Sequence, residues 1–276
     1  MTTALRPLST GELLDRTFSL YRSHFGLFVS IFALPYLVVL AYQCLGLVFQ
    51  SPGTQLSNIL IGALWGLGAL FLTVIVSAVS QAATVIAVSN LYLGRDAHVR
   101  DSLLGVKGKV LGVMLLSALV SFVSMLACMA LIVPGVMLFI MWSVSVPAKV
   151  LENRGILDSM SRSMDLTKGS RGRIFVIGLL IVGLTFAVRW LFQWPILIAA
   201  GFSMRAGGVQ QMAPAWQAAI IVAGFVSESL VGALAAIAFS LVYYDERVRK
   251  EAFDLQLMMM SLDATAAPSS PAQVGA

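Results

Sequence analysis

Two charged side chains in otherwise apolar surroundings are the sharpest chemical features of the chain. Glu228 lies between Ser227 and Ser229, midway along a long apolar run. Arg189 interrupts the preceding apolar run. An ionisable group at the centre of a membrane helix costs about 2.5–3.5 kcal/mol on insertion scales, so its presence is a functional hypothesis. Arg189 precedes Ala200, and Glu228 follows Pro214, by similar distances along two antiparallel segments. At ~1.5 Å rise per residue their depths differ by only about 5 Å. The spacing therefore predicts that they face each other or share a polar cavity. Such a pair serves as a proton or solute site, as a buried structural pair, or includes a snorkelling arginine.

Other reactive residue types are sparse. Cys44 and Cys128 lie in apolar runs with no CxxC and no partner at metal spacing, and read as inert apolar residues. His24 and His98 are isolated. No Walker loop, GxGxxG, GxSxG or HExxH is present. No metal, cofactor or catalytic activity is expected. The segment Lys168-Gly-Ser-Arg171-Gly-Arg173, with Arg16 and Arg22, has the charge to hold anionic lipid headgroups, at about 1 kcal/mol per basic residue near a surface; the same charges serve equally as topology flanks. Gly62 and Gly66 form a GxxxG pair that permits close helix packing. Met258 to Met260 reads as a sticky helical end.

These residues need a bilayer around them. Hydrophobic residues make up 59% of the chain and charged residues 11%, with a net charge of +5. Soluble domains carry roughly 25% charged residues, and the mean hydropathy here is +0.90. The chain reads as an all-α polytopic membrane bundle. Val110 to Ala148 holds no Asp, Glu, Lys, Arg or His. One crossing needs about 20 apolar residues, so this run makes two, with the hinge at Pro134-Gly135.

Six spans follow, at about 25–49, 58–93, 110–133, 135–151, 174–200 and 214–244, in one transmembrane domain over 1–255. Pro35 is a candidate kink and Pro195 a candidate end. The polar second half of the second span, including Ser80, Gln81 and Ser89, is expected to emerge from the hydrocarbon. Loops are expected at Ser51-Pro52-Gly53 and at Gly201 to Ala213, and a flexible tail over 256–276. Amphipathic interfacial helices are expected at about 10–24, 99–107 and 156–168, the first opened by a Ser9/Glu12 capping box. Each precedes a pair of spans. The leading segment lacks the pattern of a signal peptide. Basic residues cluster on one side of the membrane: Arg6, Arg16 and Arg22, then Arg95 to Lys109, Lys149 to Arg173, and Arg247 to Lys250. The opposite turns hold only Arg205. By the positive-inside rule both termini are cytoplasmic. The positive charge matches anionic lipid and gives no reason to expect nucleic acid.

Several phrases occur together: Arg6-Pro7-Leu8-Ser9 with Gly11-Glu12-Leu13-Leu14-Asp15, Tyr21-Arg22, His24-Phe25-Gly26, Pro134-Gly135, Val146-Pro147, Val150-Leu151-Glu152, Leu166-Thr167-Lys168-Gly169, and Tyr243-Tyr244-Asp245 with Arg247-Val248-Arg249. As a set they resemble a bacterial family of uncharacterised membrane proteins labelled by the glycerophosphoryl diester phosphodiesterase membrane domain. The resemblance covers most of residues 5–255. It implies a membrane bundle in a bacterial inner membrane, not a reaction. Some relatives carry a soluble phosphodiesterase domain; this chain has neither that domain nor its acidic metal cluster.

A scaffold is the leading reading on these grounds, a transporter competes with it, and an enzyme acting on lipid headgroups comes third. The first is a non-enzymatic scaffold or accessory subunit that contacts lipid and a membrane-protein partner. The second is a transporter or permease for a lipid or small solute, using Glu228 and Arg189. A cavity reaching Glu228 favours transport; a filled bundle with an exposed apolar groove favours a partner.

Overall fold

The computed structural model describes residues 8–48, 55–207 and 212–251. Ten helices are present among them: α1 Thr10–Ser23, α2 Phe25–Val48, α3 Gln55–Tyr92, α4 Val99–Leu104, α5 Val110–Ala130, α6 Ile132–Met141, α7 Ser145–Glu152, α8 Ile156–Thr167, α9 Arg171–Gly207 and α10 Pro214–Glu251. No strand occurs among the described residues. Six stretches are long and apolar enough to cross a membrane: α2, most of α3, α5, Ile132–Glu152, α9 and α10. Hydrocarbon offers no hydrogen-bond partner to the backbone, so such runs must satisfy themselves as helices. The protein is an all-α, multi-pass membrane protein.

The centre is α10, which packs against α1, α2, α3, α7, α8 and α9. Its inward face is rich in small residues, including Ala223, Ser227, Ala233, Ala238 and Ser240. Small side chains let helix backbones approach when lipid supplies no hydrophobic drive for association. Around α10 the core holds Phe28 and Ile31 of α2, Ala82 and Val85 of α3, and Ile177 and Ile181 of α9. The outer surface is apolar: Leu64, Met129 and Leu191 are each at least 70% exposed. A bilayer-facing surface has this inversion, and a water-facing one does not.

Each pair of long elements is preceded by a short helix: α1, α4 or α8. The Ser9/Glu12 capping box is formed, with Ser9 N–H donating to Glu12 Oε2 at 2.7 Å and Glu12 N–H to Ser9 Oγ at 3.3 Å. It satisfies donors that the first helical turn leaves open.

The central hairpin differs from expectation in two ways. The turn is at Leu131, whose backbone is extended, one turn before Pro134-Gly135. Pro134 is the third residue of α6, where a helix has no acceptor for the missing N–H anyway; proline starts this helix and does not hinge it. Gly135 has a different task. A Cβ there would lie 2.5 Å from the Cys128 backbone nitrogen and 2.6 Å from its Cα. The two arms touch backbone to backbone at that point.

The second arm is itself broken. Trp142 to Val144 leave the helix, and α7 resumes with Pro147 again in third position. The break withdraws the intrahelical partner of the Met141 carbonyl. Ser163 Oγ of α8 donates to that carbonyl at 2.8 Å, and Thr167 Oγ1 at 3.4 Å. Thus α8 buries a hydroxyl face against the break. Both ends of the hairpin return to one side, where Lys109 Nζ donates to the Val150 carbonyl at 2.8 Å.

Two further boundaries are corrected. Pro195 does not end the fifth span, and most of the expected loop from Gly201 is helix: α9 runs through Pro195 to Gly207. Unwinding would expose several carbonyls to hydrocarbon, at greater cost than the one bond proline removes. The sixth helix continues past Tyr244 to Glu251, because its charged last turns are held by ion pairs described below. Helix α2 likewise continues through Pro35. The expected tail over 256–276, Met258 to Met260, and the Ser51-Pro52-Gly53 turn lie outside the described residues.

Candidate functional site

The structure brings Arg189 and Glu228 together: Arg189 Nη2 donates to Glu228 Oε2 at 3.2 Å, joining α9 to α10. Neither side chain is sealed; Arg189 is 50% exposed and Glu228 26%. A third helix reaches the same place: the buried Tyr36 of α2 lies beside Glu228 and lines the same two cavities. Phe32, one turn earlier, stacks on Tyr36 with ring centroids 6.1 Å apart, and Gly232 lies directly against the Phe32 ring. That close approach of α2 to α10 sets the tyrosine beside the glutamate. Ser227 is occupied locally, donating to the Ala223 carbonyl at 2.7 Å.

Glu228 and Tyr36 divide two cavities. The first, about 320 Å³, is walled by α2, α3, α5, α6, α7, α9 and α10, with Ser77, Gln81, Ser117, Trp142 and Ser145 among its lining residues. The second, about 460 Å³, carries Gln43, Thr73, Arg189 and Gln193. Both volumes fall in the ~300–1,000 Å³ range of small-molecule sites. Within the first chamber's wall, Ser117 Oγ and Trp142 Nε1 are buried without a hydrogen-bond partner among the described residues. Each such group costs about 1–3 kcal/mol if left dry, so the chamber suits water or a polar ligand. The α6–α7 break forms part of the same wall. Irregular backbone at membrane depth is tolerated where it is buried in protein or lines a cavity.

Gln81, in the polar half of its helix, lines the chamber. Sequence reasoning does not single out Tyr36, Ser117 or Trp142. Recurrent Ser, Thr and Gln on apolar helices is the one signal the sequence offers, and it does not say which faces converge.

The lipid-headgroup candidates separate. Arg22 and Lys168 are exposed, and Arg16 lies over the Tyr92 ring at 5.5 Å. Arg171 is half-buried. Arg173 is not a headgroup contact. Its Nη1 is 2.5 Å from Asp245 Oδ2 and 3.6 Å from Glu246 Oε1, both carboxylates being 1% exposed. Buried carboxylates need such partners, which is why this arginine turns inward. Asp245 also takes Arg249 at 2.9 Å and the Leu8 amide at 2.7 Å. Nearby, Glu152 binds Arg162 at 3.1 Å and accepts from Tyr243 Oη at 2.7 Å. Arg162 also pairs with Glu251. Burial works against the Arg162 charge, yet hydrogen bonds to Glu251 and Glu152 hold its pKa above the ordinary arginine value.

Among the described residues, Gly62 and Gly66 pack against no other helix. Both face outward, and a Cβ at either would meet no atom within 4 Å. The contact between α2 and α3 uses Gly46 and Gly68 instead, which lie against Trp65 and Tyr42; those two rings stack at 4.5 Å. His24 caps α1 beside Ser23, and His98 precedes α4, 3.9 Å from Asp101. No group of His, Cys, Asp or Glu among the described residues is arranged to hold a metal ion. No protein-family model, curated protein or solved structure matches this chain.

Proposed function

We propose that the protein is a transporter for a lipid or small polar solute, with Glu228 as the central binding group and Arg189 as its positioning partner. One observation carries this reading: Glu228 and Tyr36 line both polar cavities. A carboxylate held by one arginine, with a phenol beside it, sits where two compartments meet. A change in either contact alters which side the carboxylate serves. Discontinuous helices and mid-membrane charges are how many transporters build such sites. The broken α6–α7 arm supplies the first of these features and the Arg189–Glu228 pair the second.

On this reading the basic end is cytoplasmic, the membrane is a bacterial inner membrane, and α1, α4 and α8 lie at its interface. The resemblance to the glycerophosphoryl diester phosphodiesterase membrane domain agrees with that location and adds no reaction. The scaffold reading retains one observation in its favour: Gly62 and Gly66 face outward, open to a helix of a membrane-protein partner.

Solid-supported-membrane recordings of proteoliposomes test the proposal, using a panel of amines, polyols and organic anions. Wild-type protein is expected to give a transient current with at least one class, and Glu228→Gln to remove it. A panel with no wild-type response, together with a stoichiometric co-purifying membrane protein, would favour the scaffold.

A further inference from the structure

A third cavity, about 460 Å³, adjoins the polar chamber. Its walls come from α5, α6, α9 and α10 and are almost wholly apolar, with Met125, Phe139, Leu179 and Phe239 among them. Ser121, Phe139, Ser143 and Phe239 line this groove and also the polar chamber. The two spaces are therefore adjacent across a shared wall of two hydroxyls and two rings. An apolar groove opening beside a polar chamber has the outline of one amphiphilic molecule.

We infer that the ligand is an amphiphile whose alkyl chain lies in this groove and whose head group, bearing an ammonium and an oxygen acceptor, lies in the chamber. The inference rests on the transporter reading above and narrows its substrate class.

Charge selects the ammonium. Among the described residues, Glu228 is the one acidic or basic side chain lining the polar chamber; Arg189 lines the cavity on the other side. A carboxylate has two oxygens and about four lone-pair sites, so the bond from Arg189 leaves it acceptor capacity. An anionic head group would meet that carboxylate on the chamber side, its ion-pair partner Arg189 lying on the far side. Trp142 selects the oxygen. Its indole Nε1 is a donor only, is buried, and lacks a partner among the described residues. Ser117 Oγ, also unpartnered, both donates and accepts. A long-chain amino alcohol meets all three requirements, placing its ammonium on Glu228, its hydroxyl near Trp142 and Ser117, and its chain in the groove.

Photocrosslinking of the full chain in phosphatidylcholine nanodiscs tests this. The probes are a diazirine-tagged long-chain amino alcohol and diazirine-tagged palmitate. The amino alcohol is expected to label peptides around Phe139 and Gly178 at least about tenfold more than palmitate, one charge-assisted hydrogen bond being worth roughly that factor. Glu228→Gln should remove that preference. Gly178→Leu fills the groove from α9. A Cβ there meets Phe239 at an ordinary 3.8 Å; the variant, checked for a wild-type size-exclusion profile, should abolish labelling by both probes there, and Gly178→Ala serves if leucine is not tolerated. Equal labelling by both probes, or labelling indifferent to Gly178→Leu, overturns the inference. A separate arm uses ethanolamine to protect a Ser77→Cys thiol in the chamber from maleimide. Protection without groove labelling leaves the chamber standing and rejects the amphiphile; loss of both rejects the chamber as well.

Discussion

The Asp245 carboxylate accepts a hydrogen bond from the Leu8 amide at 2.7 Å, across 237 positions of sequence. The same carboxylate binds Arg173 and Arg249. One buried anion thus ties the segment before α1 to the start of α9 and the end of α10. Asp245→Asn leaves Arg173 underpaired in a buried setting, and removing one partner of such a pair costs about 3–5 kcal/mol. A large fall in melting temperature is expected. Arg22→Gln, at an exposed position, should stay within about 0.5 kcal/mol of wild type. Equal effects of the two substitutions would refute the assignment of Asp245 as a structural anchor.

Two glycines should behave oppositely. Gly135→Leu drives a side chain into the Cys128 backbone, so folded yield should collapse. Cys128→Ala should not rescue it, because the obstructing atoms include the Cys128 nitrogen and Cα. Gly62→Leu points away from the bundle and should melt like wild type. Size-exclusion profiles and thermal melts of the purified proteins distinguish these outcomes.

The helix break is held by α8. Ser163→Ala removes the 2.8 Å bond to the Met141 carbonyl and should cost about 1 kcal/mol, as for an ordinary buried hydrogen bond. Adding Thr167→Val should cost no more than Thr167→Val alone, because the single Thr167 hydroxyl proton is held mainly by the Ser163 carbonyl at 2.9 Å. Thermal melts check both; a Ser163→Ala variant as stable as wild type would mean the break is held by something else.

Much of the architecture was legible because bilayer physics is local. Charge-free runs such as Val110 to Ala148 mark spans, and helix rise alone sets Glu228 near the depth of Arg189. What escaped was non-local. Trp142-Ser143-Val144 carries no proline or glycine itself, and Pro147, which removes the bond to the Ser143 carbonyl, is the one local signal of the break; that α8 hydroxyls capture the freed Met141 carbonyl is non-local. Arg173 looks like any membrane-flanking arginine until Asp245 and Glu246 arrive from α10. GxxxG at Gly62 and Gly66 permits close approach but does not state which face turns inward. Prolines misled for a related reason: Pro134 occupies a first-turn position, and Pro35 and Pro195 sit where lipid penalises unwinding.

The central claim is that Glu228 stands between two solvated compartments within the membrane. It is tested by thiol accessibility in a background with Cys44 and Cys128 replaced. Ser77→Cys reports on the first chamber, Thr73→Cys on the second, and Phe71→Cys on the apolar outer surface. A membrane-impermeant maleimide should label Ser77→Cys and Thr73→Cys, with Phe71→Cys silent. The labelling ratio of the two chamber positions should change in Glu228→Gln, because the carboxylate contact with Tyr36 and Arg189 separates them. Protection of all three thiols in wild-type membranes would contradict the account and return the protein to a filled, structural bundle.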